Sequence, residues 1–372
     1  MGAVLPWDNG WIVAHLAADT SPLFDSKSTV WPDLGVRTVR VESDLTQTRA
    51  SIQIAGPPVA RSSVGLGWCG GAFEVVGSRL VMTFGRDMFV MVPGVTFYLP
   101  IGGTPTNAAA VALDATRVAL AGLSGLETTS GLSYRVIDVE SGAELSRHDY
   151  ADEAALPLVP GDSFIPLPDL FGPSVALARL ARDRVLMAWL APDRRSILGR
   201  ILNDAGDPLL PDASVLTRAN TDLLLPRFAR VTEGRLGMVW TGDSGLEVRY
   251  RTVGEDNLAT PMGGDIVNTE RRCSQEFARI VRRDTGDGAL IVWSAETPRP
   301  LLGRFVDSES TPHFAPESDL PILGACSAFV GGAQMATSEA GTLVVWDGSW
   351  VVDGGHSAGG RFMQVVRASD FL

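Results

Sequence analysis

Four times in the second half of this chain an apolar run closes on a tryptophan: Arg184-Val-Leu-Met-Ala-Trp-Leu190, Arg235-Leu-Gly-Met-Val-Trp240, Ala289-Leu-Ile-Val-Trp293 and Thr342-Leu-Val-Val-Trp346. The four tryptophans stand 51, 53 and 53 residues apart. A fixed period near 50 means that one supersecondary unit recurs and buries its apolar faces against its neighbours; with short strands as the unit, the natural product is a β-propeller. Upstream, Trp11-Ile-Val-Ala-His15, Arg79-Leu-Val-Met-Thr-Phe84 and Arg117-Val-Ala-Leu-Ala-Gly122 carry the same run, with the aromatic replaced by His, kept as Phe, or lost to Gly. Seven such strands in 372 residues give about 53 residues each. The expected fold is therefore all-β: a seven-bladed propeller of four-stranded antiparallel blades, forming one domain over residues 1–372. Blade boundaries fall near 1–57, 58–100, 101–168, 169–218, 219–270, 271–324 and 325–372.

With the strands of a blade lettered A to D from the axis outward, the tryptophan closes strand B. Blade one takes Val4–Trp7, Trp11–Leu16, Val36–Val41 and Ser51–Ile54, with Asp8-Asn-Gly10 as a hairpin turn. Blade two takes Ala72–Val76, Arg79–Phe84, Met88–Val92 and Val95–Leu99. In blade three Ala109–Leu113, Arg117–Ala121 and Ser133–Val139 precede an irregular Pro-rich segment, 140–163, and Phe164–Leu167 is expected as strand D. Blades four to six repeat a third strand, Ile197–Ile201, Leu246–Tyr250 and Leu301–Phe305, followed by Ala213–Leu216, Asp265–Asn268 and Asp319–Leu323 as strands D. Blade seven offers Ala328–Ala336, Thr342–Trp346 and Gly360–Val366, after which six residues remain. It is expected to be three-stranded and to leave an open edge.

A Val-Trp ending on one strand and Leu-Gly-Arg followed by an aliphatic or aromatic residue on the next, as in Leu198-Gly-Arg-Ile201 and Leu302-Gly-Arg-Phe305, resembles the bacterial propeller-repeat proteins of the myxobacterial lineage over residues 173–367. The resemblance implies the propeller fold and favours an extracytoplasmic location, periplasmic or secreted. It implies no shared activity, because propellers host lectins, hydrolases and plain binding platforms alike.

Composition narrows the partners. A formal net charge of −12 argues against nucleic acid and anionic membranes, both of which need basic surface. No apolar run approaches the roughly 18 residues of a membrane-crossing helix. The start Met1-Gly-Ala-Val-Leu-Pro-Trp7 lacks the basic start and apolar centre of a secretory signal.

The enzymatic motifs each meet a simpler explanation. Gly355-His-Ser-Ala-Gly359 spells G-x-S-x-G, but a nucleophile elbow needs its acid and His downstream; 13 residues follow and none is His. It reads as a loop joining strands B and C of blade seven. Sialidase-like Asp turns are broken in Thr241-Gly-Asp-Ser-Gly245 and Ser338-Glu-Ala-Gly341, and Trp346-Asp347 is a lone WD pair. Asn203-Asp-Ala-Gly-Asp207 and Asp284-Thr-Gly-Asp-Gly288 lack the distal Glu of a calcium loop and read as turns. The four His show no zinc spacing, and no metal or cofactor is expected. Cys273 and Cys326 each stand 20 residues before their blade's tryptophan; free buried thiols are expected, with a bond between them left open.

No catalytic set is assigned. The candidate ligand site comes from the inner strands, where Arg179, Arg230 and Arg279 are placed in one column and Glu74 in the same column of blade two. Along a channel wall they would hold a carboxylate or other small anion bidentately, although guanidiniums that bond carbonyls of the next blade serve equally well as structure. The repeated tryptophans are expected in the core between blades, and Trp31 and Trp350, outside the repeat, are the surface-contact candidates. The function expected is a non-enzymatic scaffold that binds proteins, with loops 17–35, 140–163 and 347–360 as contact surfaces. A glycan-binding lectin is the alternative, and a glycosidase-type hydrolase comes third.

Overall fold

Each tryptophan-ending run is apolar from its second residue to the tryptophan, so a strand made from it must be covered on both faces. The computed structural model describes residues 2–18, 34–43, 47–51, 72–84, 87–92, 98–102, 104–124, 131–150, 175–180, 183–224, 226–242, 246–254, 258, 264–268, 275–284, 286–295, 301–307, 327–330, 333–352 and 356–367. Among these there is no helix, and the strands form seven antiparallel sheets. Sheet 1 is β1 (Gly2–Trp7), β2 (Gly10–Ala18), β3 (Leu34–Val41) and β4 (Gln47–Ser51). Sheet 2 is β5 (Phe73–Val76), β6 (Arg79–Phe84), β7 (Asp87–Met91) and β8 (Tyr98–Gly102). Sheet 3 is β9 (Thr106–Ala112), β10 (Arg117–Leu123), β11 (Leu132–Asp138) and β12 (Glu144–Tyr150).

Sheet 4 is β13 (Val175–Arg179), β14 (Arg184–Leu190), β15 (Ser196–Asn203) and β16 (Ser214–Arg218), and sheet 5 is β17 (Arg227–Thr232), β18 (Arg235–Gly242), β19 (Glu247–Gly254) and β20 (Asp265–Ile266). Sheet 6 is β21 (Gln275–Arg282), β22 (Ala289–Ala295) and β23 (Leu301–Val306). The last sheet holds β24 (Ser327–Val330), β25 (Gln334–Ser338), β26 (Gly341–Val352) and β27 (His356–Val366). In sheets 1 to 5 spatial order follows chain order, an up-and-down meander. In sheet 7, β27 takes one whole edge of β26 while β24 and β25 share the other. The sheet is thus four-stranded, and the single first strand expected over Ala328–Ala336 is two, β24 and β25.

The chain divides into two compact units, Met1–Arg179 with Leu202–Asp207, and Leu180–Ile201 with Pro208–Leu372. In the first, Leu80 and Met82 of β6 join Ile12 and Ala14 of sheet 1, while Val81, between them, joins Val118 and Leu120 of sheet 3. Sheet 2 is thus sandwiched face to face, which is why β6 has no polar side. The second unit repeats the device. Ala289, Ile291 and Trp293 pack with Val239 and Val248 of sheet 5, and the alternate Leu290 and Val292 pack with Val344 and Trp346 of sheet 7.

The first strands of successive sheets also lie against one another: β1 on β5, β5 on β9 and β9 on β13 in the first unit, β17 on β21 and β21 on β25 in the second. Face-to-face sheets that converge at their first strands are the packing of propeller blades.

Trp189, Trp240, Trp293 and Trp346 are all buried, at most 6% exposed. The repeat's aromatic is core, as expected. Gly264 shows how tight the fit is, since a Cβ there would come within 2.3 Å of Cη2 of Trp240. Strand D of sheet 3 departs from the sequence reading, because it is β12, Glu144–Tyr150, rather than Phe164–Leu167, which lies outside the described residues. The cause is local. Oδ1 of Asp138 accepts from the N–H groups of Glu140 and Ser141 at 3.1 and 2.8 Å, and Gly142 adopts φ 75°, so the chain reverses at once. Strand β12 is largely exposed and has no apolar alternation to announce it. Strands β4 and β8 also sit a few residues from the spans expected for them.

Candidate functional site

Glu74 is the described ionisable residue most altered by its surroundings. It sits on the short strand β5, opposite Val81 of β6. Neighbouring Phe73 packs toward sheet 1 and Val76 toward sheet 3, so alternation turns Glu74 toward sheet 3. There the backbone N–H groups of Ala112, on β9, and Val75 bond its carboxyl. Burial is the larger influence and pushes the carboxyl up to about 8 from the ordinary 4.5, against the pull of those two donors. Part of the residue's surface remains open. A carboxylic acid that keeps its proton at neutral pH can donate a hydrogen bond or a proton, which an ordinary surface glutamate cannot.

A second cluster gathers around Asp204, in the turn that follows β15. Arg179 donates to both carboxylate oxygens, with Nη2 to Oδ2 at 3.2 Å. Nη2 of Arg117 reaches the same Oδ2 at 3.4 Å, while its Nε holds Asp114 at 2.6 Å. The turn is also gripped through its backbone: the Tyr134 hydroxyl donates to the Asp204 carbonyl at 3.4 Å, Ser146 Oγ to that of Ala205 at 2.7 Å, and the Tyr150 hydroxyl to that of Gly206. Gly206 is required there. Its φ is 102°, and a Cβ would lie 2.6 Å from Cδ1 of Tyr134 and 2.7 Å from Cδ2 of His148.

Burial, followed by the charge of Asp204, raises the Tyr134 phenol well above its usual range, so it stays a neutral donor. Asn203 and Asp207 close the turn on themselves, with Asn203 Nδ2 on Asp207 Oδ2 at 2.9 Å. The arrangement is a clamp that fixes a turn, and it uses side chains that the sequence reading treated singly or not at all.

The four residues of the expected anion site are thus placed as follows. Arg179 is engaged by Asp204. Arg230 stands opposite Leu236, four residues before Trp240, and Arg279 opposite Val292, one before Trp293. Cross-strand partners share a face, so Arg230 projects on the face of its tryptophan and Arg279 on the other. They also differ by three positions along the strand, about 10 Å. The offset is visible in the sequence, where Arg230 stands 10 residues before Trp240 and Arg279 stands 14 before Trp293. Glu74, on β5, has Val75 and Ala112 as its bonding partners. Trp350 lies on β26 and Trp31 outside the described residues, as do Cys69, Cys273 and Cys326. Gly355 precedes β27, and His356 to Gly359 pair along β26, so the G-x-S-x-G string runs through a strand rather than an elbow. Among the described residues no three His, Cys, Asp or Glu side chains gather as metal ligands.

Polar side chains serve the second unit in the same way. Arg249 grips Oε2 of Glu247 through Nε and Nη2, at 2.8 and 2.5 Å, and donates from Nη1 to the Gly264 carbonyl at 3.0 Å. Asn268 Oδ1 accepts the Val248 N–H at 2.8 Å, pinning the segment after β20 to β19.

Among solved structures, the fold is similar to that of a putative 6-phosphogluconolactonase from Bacteroides uniformis, with TM-score 0.52 and 12% identity over 97% of this chain and 98% of that one. It is also similar to a chain of the COPII outer coat vertex on membranes, with TM-score 0.52 and 10% identity over 98% and 83%. At such identities the likeness shows the fold alone, which is propeller-type and all-β. No family model matches the chain and no curated protein matches it in sequence, so the myxobacterial likeness remains one of motif.

Proposed function

We propose that the seven sheets are the blades of one propeller ring and that the chain is a non-enzymatic binding platform for protein partners. The observation that carries this reading is the Asp204 clamp. The fullest convergence of acid, arginine, tyrosine and histidine side chains in the described blades is spent on holding a turn, and the Glu247–Arg249–Asn268 group does the same. Recognition then falls to turns, loops and strand edges carried by a rigid frame. Cross-linking the tagged chain in its native cells, followed by a glycan array, tests the reading. One stable protein partner with no sugar response supports it, whereas glycan binding abolished by Trp31→Ala or Trp350→Ala overturns it in favour of a lectin.

A second reading, a hydrolase-type propeller, is favoured by one observation. Glu74 holds its proton to about pH 8, as a general acid must at neutral pH. Turnover of any compound in a lactone and oligosaccharide panel, lost in Glu74→Gln with the fold intact, would establish it.

A further inference from the structure

The turn that the Asp204 clamp fixes ends on Asp207, and the next residue is Pro208. A bond between these two residue types is chemically disposed to break from within. The aspartate carboxylate reaches its own main-chain carbonyl carbon through a five-membered ring, and the departing nitrogen belongs to a tertiary amide with no N–H.

In this chain every polar group of Asp207 is held. Its N–H donates to Asn203 Oδ1 at 2.8 Å, and its Oδ2 accepts from Asn203 Nδ2 at 2.9 Å. Its Oδ1 lies 3.6 Å from Nε2 of His148. Its carbonyl oxygen accepts the backbone N–H of Asn203 at 2.9 Å. His148 is itself stacked on Tyr150, with ring centroids 6.4 Å apart, and Tyr150 donates to the Gly206 carbonyl. Asp207 and Pro208 are both exposed, so water reaches the bond between them. The bonds to Asn203 side-chain atoms fix the nucleophile. The other two contacts are what acyl transfer requires: a donor on the oxygen that gains negative charge, and an acid beside the attacking oxygen.

We infer that the chain cleaves itself between Asp207 and Pro208. Oδ1 attacks the Asp207 carbonyl carbon, and negative charge gathers on the carbonyl oxygen against the Asn203 N–H. In the tetrahedral intermediate Oδ1 and the Pro208 nitrogen share one carbon. The His148 imidazolium beside Oδ1 is therefore beside that nitrogen too, and gives it a proton. The C–N bond breaks, releasing Pro208 as a secondary amine and leaving a cyclic anhydride at Asp207. Water opens the anhydride to two carboxylates, and its two protons go to the imidazole and to the new amine. The nicked chain stays together, because β15 precedes the bond, β16 follows it, and the two pair from Ser196↔Arg218 to Gly199↔Ser214. The inference is independent of the platform reading.

The test is to incubate the purified full-length chain at about pH 6.5, near the ordinary value for imidazole, and to follow it by mass spectrometry. One fragment ending at Asp207 and one beginning at Pro208 should accumulate and coelute on a native sizing column. Urea leaves the bond intact but dissolves the turn, and at the same pH it should slow cleavage at least about tenfold. Asp207→Asn should abolish cleavage, and His148→Gln, folded by circular dichroism, should slow it at least about tenfold.

A folded chain that stays intact overturns the inference. So does cleavage equally fast in the folded and urea-unfolded chains, since that is the intrinsic lability of the bond and owes nothing to the fold. A rate unchanged in Asp207→Asn or in folded His148→Gln overturns it as well. The urea comparison needs no substitution, so a variant that fails to fold does not shield the inference.

Discussion

Replacing Glu74 by Gln should stabilise the protein in alkaline conditions and leave it nearly unchanged in acid. The neutral amide keeps an oxygen to accept the Ala112 N–H but cannot ionise. Below about pH 4.5 the carboxyl is protonated in both folded and unfolded chains, so ionisation contributes nothing. Between the ordinary 4.5 and the raised value of about 8, the unfolded chain releases its proton while the folded one retains it. Unfolding therefore gains ground with every step in pH, until above 8 both states are charged and the loss is complete. At about 1.4 kcal/mol per pH unit the full interval corresponds to about 5 kcal/mol. Glu74 keeps part of its surface, water screens some of the penalty, and the expected difference is about 2–4 kcal/mol.

The assay is urea unfolding of parent and variant from about pH 4.5 to about pH 8.5, read as the difference between them so that other titrating groups cancel. The difference should be near zero at the acid end and should grow in favour of Gln across the interval. A constant difference would mean that Glu74 titrates normally and the buried-acid argument is wrong. A variant less stable than the parent at high pH would show a carboxylate that gains a favourable partner when charged.

Removing Asp204 as Asp204→Ala leaves Arg179 and Arg117 without their shared carboxylate; a loss of about 2–4 kcal/mol is expected, with a double-mutant cycle against Arg179→Met showing coupling of about 1–3 kcal/mol. Gly206→Ala combines positive φ with a clash against two rings and should cost about 2–4 kcal/mol in denaturant unfolding. Tyr150→Phe removes only the hydroxyl that holds Gly206, and about 1 kcal/mol is expected by the same measurement. Trp293→Ala opens a cavity between sheets 5 and 6 and should cost about 3–5 kcal/mol, with a lowered thermal midpoint as the readout.

Strands B were legible because burial on both faces writes an unbroken apolar run. Arg79–Phe84 and Arg184–Leu190 occupy the spans read from the sequence, residue for residue. Outer strands were not, because one side meets solvent and their place is set by the preceding turn. Glu144–Tyr150 follows from the way Asp138 and Gly142 reverse the chain, with no hydrophobic signal in the strand itself. Within the second unit, Arg230 and Arg279 differ in register for a simpler reason. Arg230 stands 10 residues before Trp240 but Arg279 stands 14 before Trp293, and the paired positions therefore lie three apart and on opposite faces.

The sequence by itself determined the repeat unit, the seven recurrences of its apolar strand and the burial of the tryptophans. All three depend on local periodicity. Only the tertiary structure decided what the charged residues do, since an ion pair such as Arg179 with Asp204 joins positions 25 residues apart that no period relates. The same holds for Glu74, whose carboxyl holds its proton more tightly because burial in the folded chain outweighs the hydrogen bonds from Ala112 and Val75.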